Sequence, residues 1–192
     1  MTKIAIVVGN PKRDSYCEAL GKAYLRGAEE GGHEAKLFLL ADMMFDPILR
    51  EGYRRGQPLE PDLVVARQAL QVSDHFVFIF PLWCGDMPAI MKGFIERVLQ
   101  PDLLAVQASH GLARWKIFKG KSARIIMTMG MPGWFYRWYY GGYALKLLKR
   151  NILYFTGVTP VRSKIYGMIE AVGDETRKQW LREVEALGHQ AQ

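Results

Sequence analysis

Five large apolar residues follow one another without a break, Phe76-Val77-Phe78-Ile79-Phe80, and Pro81 stops them. A run this short, rich in aromatic and β-branched side chains, reads as a strand buried on both faces, the situation of a central strand in a parallel sheet. Ile4 to Val8 has the same character and ends at Gly9-Asn10-Pro11. From Ser15 to about Glu30 the pattern changes to a helical period, with Ala19, Leu20, Ala23 and Tyr24 on one side and Gly31-Gly32 as the stop. Ala35 to Leu40 is a second strand, residues 41–60 an irregular connection, and Pro61 to Val72 a helix opened by its proline. Further on, the sequence predicts a helix over Pro88–Leu99, a strand over Ser122–Met129 and a helix over about Gly141–Phe155. A fifth strand over Val158–Met168 takes an edge position because of Pro160, and a last helix covers Glu175–Leu187. Strands alternating with helices predict an α/β fold, a parallel sheet covered on both faces by right-handed crossovers.

The 192 residues suit one domain, 1–192, and 49% hydrophobic content is enough for a core. Cys17 and Cys84 stand far apart without ligand spacing, so neither a disulfide framework nor a metal site is expected, and a cytoplasmic location is. His33, His75, His110 and His189 are scattered in the same way. Met1-Thr2-Lys3 and the short apolar run after it do not read as a signal peptide. No stretch approaches the roughly 20 apolar residues of a transmembrane segment. The net charge of +7 fits a basic solvated surface, nucleic acid, an anionic membrane surface or an anionic small molecule. No nucleic-acid reading module is visible, and none is expected to bind.

Open parallel sheets bind ligands beyond the carboxyl ends of their strands. After the first strand comes Gly9-Asn10-Pro11-Lys12-Arg13-Asp14-Ser15-Tyr16-Cys17, leading into a helix N-terminus. Unpaired N–H groups there stabilise an anion, with Asn10, Ser15, Lys12 and Arg13 as possible helpers. The plainer reading makes Asp14 or Ser15 a helix cap only. After the third strand, Pro81-Leu82-Trp83-Cys84-Gly85-Asp86-Met87-Pro88 is a stiff loop with an aromatic wall, suited to a flat heterocycle unless Trp83 and Met87 belong to the core. After the fourth come Thr128-Met129-Gly130, then the aromatic stretch Trp134-Phe135-Tyr136-Arg137-Trp138-Tyr139-Tyr140. That stretch reads as a lid, a dimer face, a membrane-surface patch or packed core.

Two of these loops together resemble the NAD(P)H:quinone oxidoreductase family of flavodoxin-like flavoproteins. Asn10-Pro11 with Ser15 and Ala19-Leu20 match its first signature. Phe80-Pro81-Leu82-Trp83, then Pro88-Ala89-Ile90-Met91-Lys92-Gly93-Phe94 and Glu96-Arg97-Val98, match its second and most specific one. Tyr154-Phe155-Thr156-Gly157-Val158 adds a third, and the likeness spans roughly residues 4–165. The resemblance implies a five-stranded sheet in the order 2-1-3-4-5. It implies a flavin held by Asn10, Ser15 and Tyr16 at the phosphate and ribityl end. Pro81, Leu82, Trp83, Cys84 and Gly85 would line the ring, and Thr128 and Gly130 its N1–C2=O edge. Tyr136 would be the catalytic residue near the hydride acceptor. The sequence departs from the family at Asn10 and Gly142, where the family has histidines, and at Gly85-Asp86.

The activity implied is electron transfer from NADPH or NADH through the flavin to a quinone-like acceptor, in ping-pong order, by a homodimer. FMN is expected over FAD, because the chain shows no C-terminal extension to cover an adenosine. The alternatives are a flavodoxin-type electron carrier, usually acidic where this chain is basic, and a non-enzymatic regulatory flavoprotein.

Overall fold

The computed structural model describes residues 1–52, 56–100 and 116–192. The sheet consists of β1 (Lys3–Val8), β2 (Glu34–Leu39), β3 (His75–Pro81), β4 (Ser122–Thr128) and β5 (Val161–Tyr166). Its order is β2-β1-β3-β4-β5, with every neighbouring pair parallel, as the resemblance implied. All seven residues of β3 are buried, which accounts for the unbroken apolar run. Successive side chains point to opposite faces of a strand. Ile4, Ile6, Val8, Val77 and Ile79 accordingly join the core beneath two helices, α1 (Tyr16–Glu30) and the C-terminal α6 (Asp174–His189). Ala5, Val7, Phe76, Phe78 and Phe80 face the other way. They pack with α2 (Pro61–Val72), α3 (Ala89–Val98), and two elements after β4: α4 (Gly133–Trp138) and α5. The last begins as α-helix over Tyr143–Lys146 and continues in π form over Leu147–Tyr154.

Helices α1 and α6 touch backbone to backbone. A Cβ at Gly27 would lie 1.9 Å from the Glu185 carbonyl oxygen, and one at Gly188 would lie 2.2 Å from the Tyr24 carbonyl oxygen. Only glycine permits that approach.

The stretch Lys92 to Val98, the core of the second signature, serves the fold. Gly93 lets Pro47 come against α3, since a Cβ there would stand 2.4 Å from the Pro47 carbonyl oxygen. Arg97 is fully buried and donates to the carbonyls of Asp46 and Pro58 and to the Glu60 carboxylate, whose Oε2 is 2.8 Å away. Burial alone would raise the Glu60 pKa, but donation from the Asp46 and Glu60 N–H groups and from Arg97 lowers it on balance. One guanidinium thereby fixes both ends of the irregular connection, of which residues 53–55 lie outside the described ones.

Two sequence expectations change. The fifth strand loses its first three and last two predicted residues, and Pro160 stands just before it. The predicted helix from Gly141 begins two residues later, because Gly141 and Gly142 both have left-handed φ, 59° and 63°. Among the described residues no helix is long and apolar enough to cross a membrane.

Candidate functional site

The strand order reverses between β1 and β3, and beyond their carboxyl ends lies a cleft of about 470 Å³. Four loops contribute to it: Asn10 to Cys17 after β1, Pro81 to Trp83 after β3, Thr128 to Gly130 after β4, and Ile169 and Glu170 after β5. Arg177, in the first turn of α6, closes one side.

At the first loop Ser15 is the N-cap of α1, its Oγ accepting from the Glu18 N–H at 3.3 Å. Glu18 reaches back to accept the Asp14 N–H at 2.8 Å, and Asn10 Oδ1 takes that of Lys12 at 3.0 Å. With those donors committed, the N–H groups of Tyr16 and Cys17 in the first turn remain for an anion. The Tyr16 hydroxyl donates to the Arg177 carbonyl oxygen at 2.7 Å and so spans the cleft from α1 to α6. Burial pushes its pKa up to about 12. Cys17 is buried with Sγ 3.3 Å from Thr128 Oγ1, and burial raises its thiol to about 11, so it stays protonated. Arg177 donates to Asp174 Oδ1 at 2.5 Å and to the Ile169 carbonyl at 3.1 Å, which pins its guanidinium at the rim.

The loop after β3 is a two-residue turn. Trp83 and Asp86 exchange backbone hydrogen bonds at 2.8 and 2.9 Å, and Cys84 and Gly85 between them have φ of 49° and 83°. Two successive left-handed residues make the tight turn that glycine favours. Leu82 N–H donates to the Thr128 carbonyl at 2.8 Å, tying this loop to the end of β4. Asp86 turns its Oδ1 onto the Met87 N–H at 2.7 Å, so its carboxylate braces the turn. In the third segment Met129 N–H is committed to the Tyr166 carbonyl at 3.0 Å.

Of the residues singled out in the sequence, the cleft gathers Asn10, Ser15, Tyr16, Pro81, Leu82, Trp83, Thr128 and Gly130. Cys84 and Gly85 form the turn next to the Trp83 wall without lining the cleft. The expected position of Tyr136 is corrected. It is 1% exposed, and its phenolic oxygen accepts the N–H groups of Ala144 at 3.0 Å and Leu145 at 3.4 Å. The phenol caps the start of α5 and does not face the cleft. Burial raises its pKa, and the charge of Asp86 adds to the rise. The rest of the aromatic stretch is outside the core, with Trp134, Trp138, Tyr139 and Tyr140 exposed.

Arg177, Glu170 and Ile169 were not foreseen as lining residues. Arg177 joins Tyr16 across 161 positions of sequence, and no local pattern announces such a contact. Among the described residues no cluster of His, Cys, Asp and Glu could hold a metal; His110 lies outside them.

A fold, a switch-point cleft and a helix start facing it are shared by many proteins, and comparison narrows them. The chain matches the flavodoxin-like fold family over residues 2–187. It belongs to that family. Its curated relatives include a ribosyldihydronicotinamide dehydrogenase-like protein of Penicillium crustosum, 27% identical over 157 residues and covering 69% of this chain and 58% of the relative. NAD(P)H dehydrogenase [quinone] 1 of Rattus norvegicus is 26% identical over 151 residues, 68% of this chain and 54% of the relative. The chain thus spans somewhat over half the length of these relatives. Among solved structures, Smu.1420 from Streptococcus mutans UA159 is 26% identical with a TM-score of 0.75, covering 97% of this chain and 98% of that one. The likeness to NAD(P)H:quinone oxidoreductases read from Pro81 to Val98 is borne out by these names.

Proposed function

We propose that this flavodoxin-like protein is a flavin-dependent NAD(P)H oxidoreductase that reduces a quinone or similar acceptor. The observation that carries the reading is the cleft itself. An anion-binding helix start, an indole wall and unpaired backbone donors converge there from three loops of one sheet edge. A flavin fits those residues. The N–H groups of Tyr16 and Cys17, with Lys12 nearby, would hold its phosphate. Leu82 and Trp83 offer an apolar surface to the ring, and the Gly130 N–H would meet its polar edge. FMN is the flavin proposed, because the donors gathered for an anion belong to a single helix start and suit one phosphate. When bound, a flavin accepts hydride from a nicotinamide and passes the electrons on.

The chain's own residues then have three tasks. Trp83 and Leu82 exclude water from one side of the ring. Donors at Gly130 favour the reduced form, which carries negative charge at that edge. Arg177, fixed by Asp174, keeps positive charge at the rim for an incoming phosphate-bearing nicotinamide. NADPH or NADH and the acceptor would use the same open side in turn. A homodimer is expected from the resemblance.

The test is the visible absorbance of the purified chain, chromatography of the released flavin, and reconstitution with FMN and FAD separately. FMN is expected to restore NAD(P)H-driven reduction of a benzoquinone, with parallel double-reciprocal lines. A chain that takes up no flavin refutes the reading, and one that takes only FAD refutes the choice of FMN.

A further inference from the structure

Between Asp102 and Glu170 the sequence contains no acidic residue, but it contains eleven lysines and arginines. The remainder of the chain is net acidic, so the whole positive excess resides in this one stretch. Helices α4 and α5 and the turn between them lie inside it and carry large exposed aromatics. Trp134 is 69% exposed, Trp138 76% and Tyr143 70%, with Tyr139, Tyr140 and Tyr154 also open. Soluble monomers rarely leave so much contiguous apolar surface uncovered without a use. The rings form a preorganised cluster: Phe135 stacks on Tyr139 at 5.2 Å, and Tyr139 meets Tyr140 edge-on at 4.9 Å. Basic side chains are interleaved with them. Lys146 lies over the Tyr143 ring at 5.3 Å, Lys149 over the Tyr154 ring at 5.6 Å, and Arg137 and Arg150 are exposed alongside.

We propose that the aromatic and basic face of α4 and α5 docks on an anionic phospholipid bilayer. Tryptophan and tyrosine prefer the headgroup level, where an apolar ring body and a polar tip are both satisfied. Lysine and arginine beside them are attracted to the negative surface potential of the lipid. Charge also decides against the main competitor, a second copy of this chain. A two-fold interface brings a patch against itself. Here that would set the patch holding Arg137, Lys146 and Arg150 against an equally basic one, with no carboxylate within the stretch to pair with them. Helix α4 starts three residues after Gly130 of the cleft. Docking on lipid would therefore bring the cleft close to acceptors dissolved in the membrane, a consequence that rests on the oxidoreductase reading.

The experiment is cosedimentation of the full chain with vesicles of phosphatidylcholine alone or with about one-third phosphatidylglycerol. Tryptophan emission is followed in parallel. Expected are binding to the anionic vesicles only, a blue shift, and loss of binding at high salt. Each basic residue at an anionic surface is worth about fivefold in partition. Lys146→Gln with Arg150→Gln should therefore weaken binding about 25-fold, while Trp138→Ser with Tyr143→Ser should weaken binding and shrink the blue shift, leaving the part that Trp134 contributes. Turnover of a water-soluble benzoquinone by these variants tests the oxidoreductase reading separately and should stay within about twofold of the unaltered protein. The proposal is overturned by equal binding to both kinds of vesicle, or by unchanged binding of either variant. It is equally overturned by a dimeric sedimentation mass that Trp138→Ser with Tyr143→Ser reduces to the monomer, which would assign the face to a second copy.

Discussion

Tyr136→Phe separates two roles for one hydroxyl. The sequence placed Tyr136 beside the reacting centre, where losing one hydrogen bond to a charged transition state costs about tenfold in turnover. In the structure the oxygen accepts the Ala144 N–H at 3.0 Å and, less well, the Leu145 N–H at 3.4 Å. These donors belong to the first turn of α5, which has no helical partners for them. Ala144 is buried, so removing the oxygen leaves its N–H dry and unpaired. An unsatisfied buried donor costs about 1–3 kcal/mol. In a chain of this size each kcal/mol moves Tm by about 2–4 °C, so a loss of about 2 kcal/mol lowers it by about 4–8 °C. The assay pairs thermal and urea unfolding of both proteins with benzoquinone turnover at saturating NADPH. A lower midpoint with an unchanged urea slope and near-normal turnover is expected. An unchanged Tm with turnover down tenfold would refute the reasoning and return the phenol to the chemistry.

Two further outcomes are expected. Burial, with the charges of Arg124 and Arg162, holds the His75 imidazole down to about 4. The folded state thus prefers it neutral, so its contribution is present above about pH 6.5 and lost as pH falls toward 4; between those values stability should fall by about 1.4 kcal/mol per pH unit from this group. Urea midpoints across pH 4–7 should show that slope and His75→Phe should flatten it; an equal slope in both proteins would place the acid sensitivity elsewhere. Trp83→Ala removes the indole wall of the cleft, and flavin affinity is expected to drop at least tenfold with little change in Tm of the flavin-free protein. Fluorescence titration with FMN checks it, and unaltered affinity would remove Trp83 from the binding surface.

The central strands were legible because burial on both faces writes itself as an unbroken apolar run, and Phe76 to Phe80 has no other good reading. The loop residues of the cleft were legible for a similar reason: proline, glycine and an indole beside a strand end have few other uses. Helix α4 was not. Its six residues are too few to show a period, and five of them are aromatic or basic whichever way they face. One consequence was the misplacement of Tyr136, whose burial depends on α5 folding over it. Nor could the π-form continuation of α5 be foreseen, since Leu147-Leu148 and Ile152-Leu153 flank Lys149-Arg150-Asn151 much as in an ordinary surface helix. The signature around Gly93 and Arg97 was readable as a motif but not in purpose, because Pro47 and Glu60 are brought to it only by the folded connection.

The backbone contact between α1 and α6 has a consequence at some distance from where it occurs. Two parallel rods touching at Gly27 and Gly188 have no compressible side chains between them, so they behave as a stiff frame. Ser15 and Tyr16 stand at one end of that frame, and Arg177 stands opposite them. A single methyl group at position 27 must push the rods apart, and rigid rods carry the displacement along about 1.5 Å of axis per residue to their N-terminal ends. The width of the anion end of the cleft is thus set some three helical turns away from it, by a residue no ligand ever meets. Drift in sequence along this seam would retune cofactor affinity while every lining side chain stayed the same.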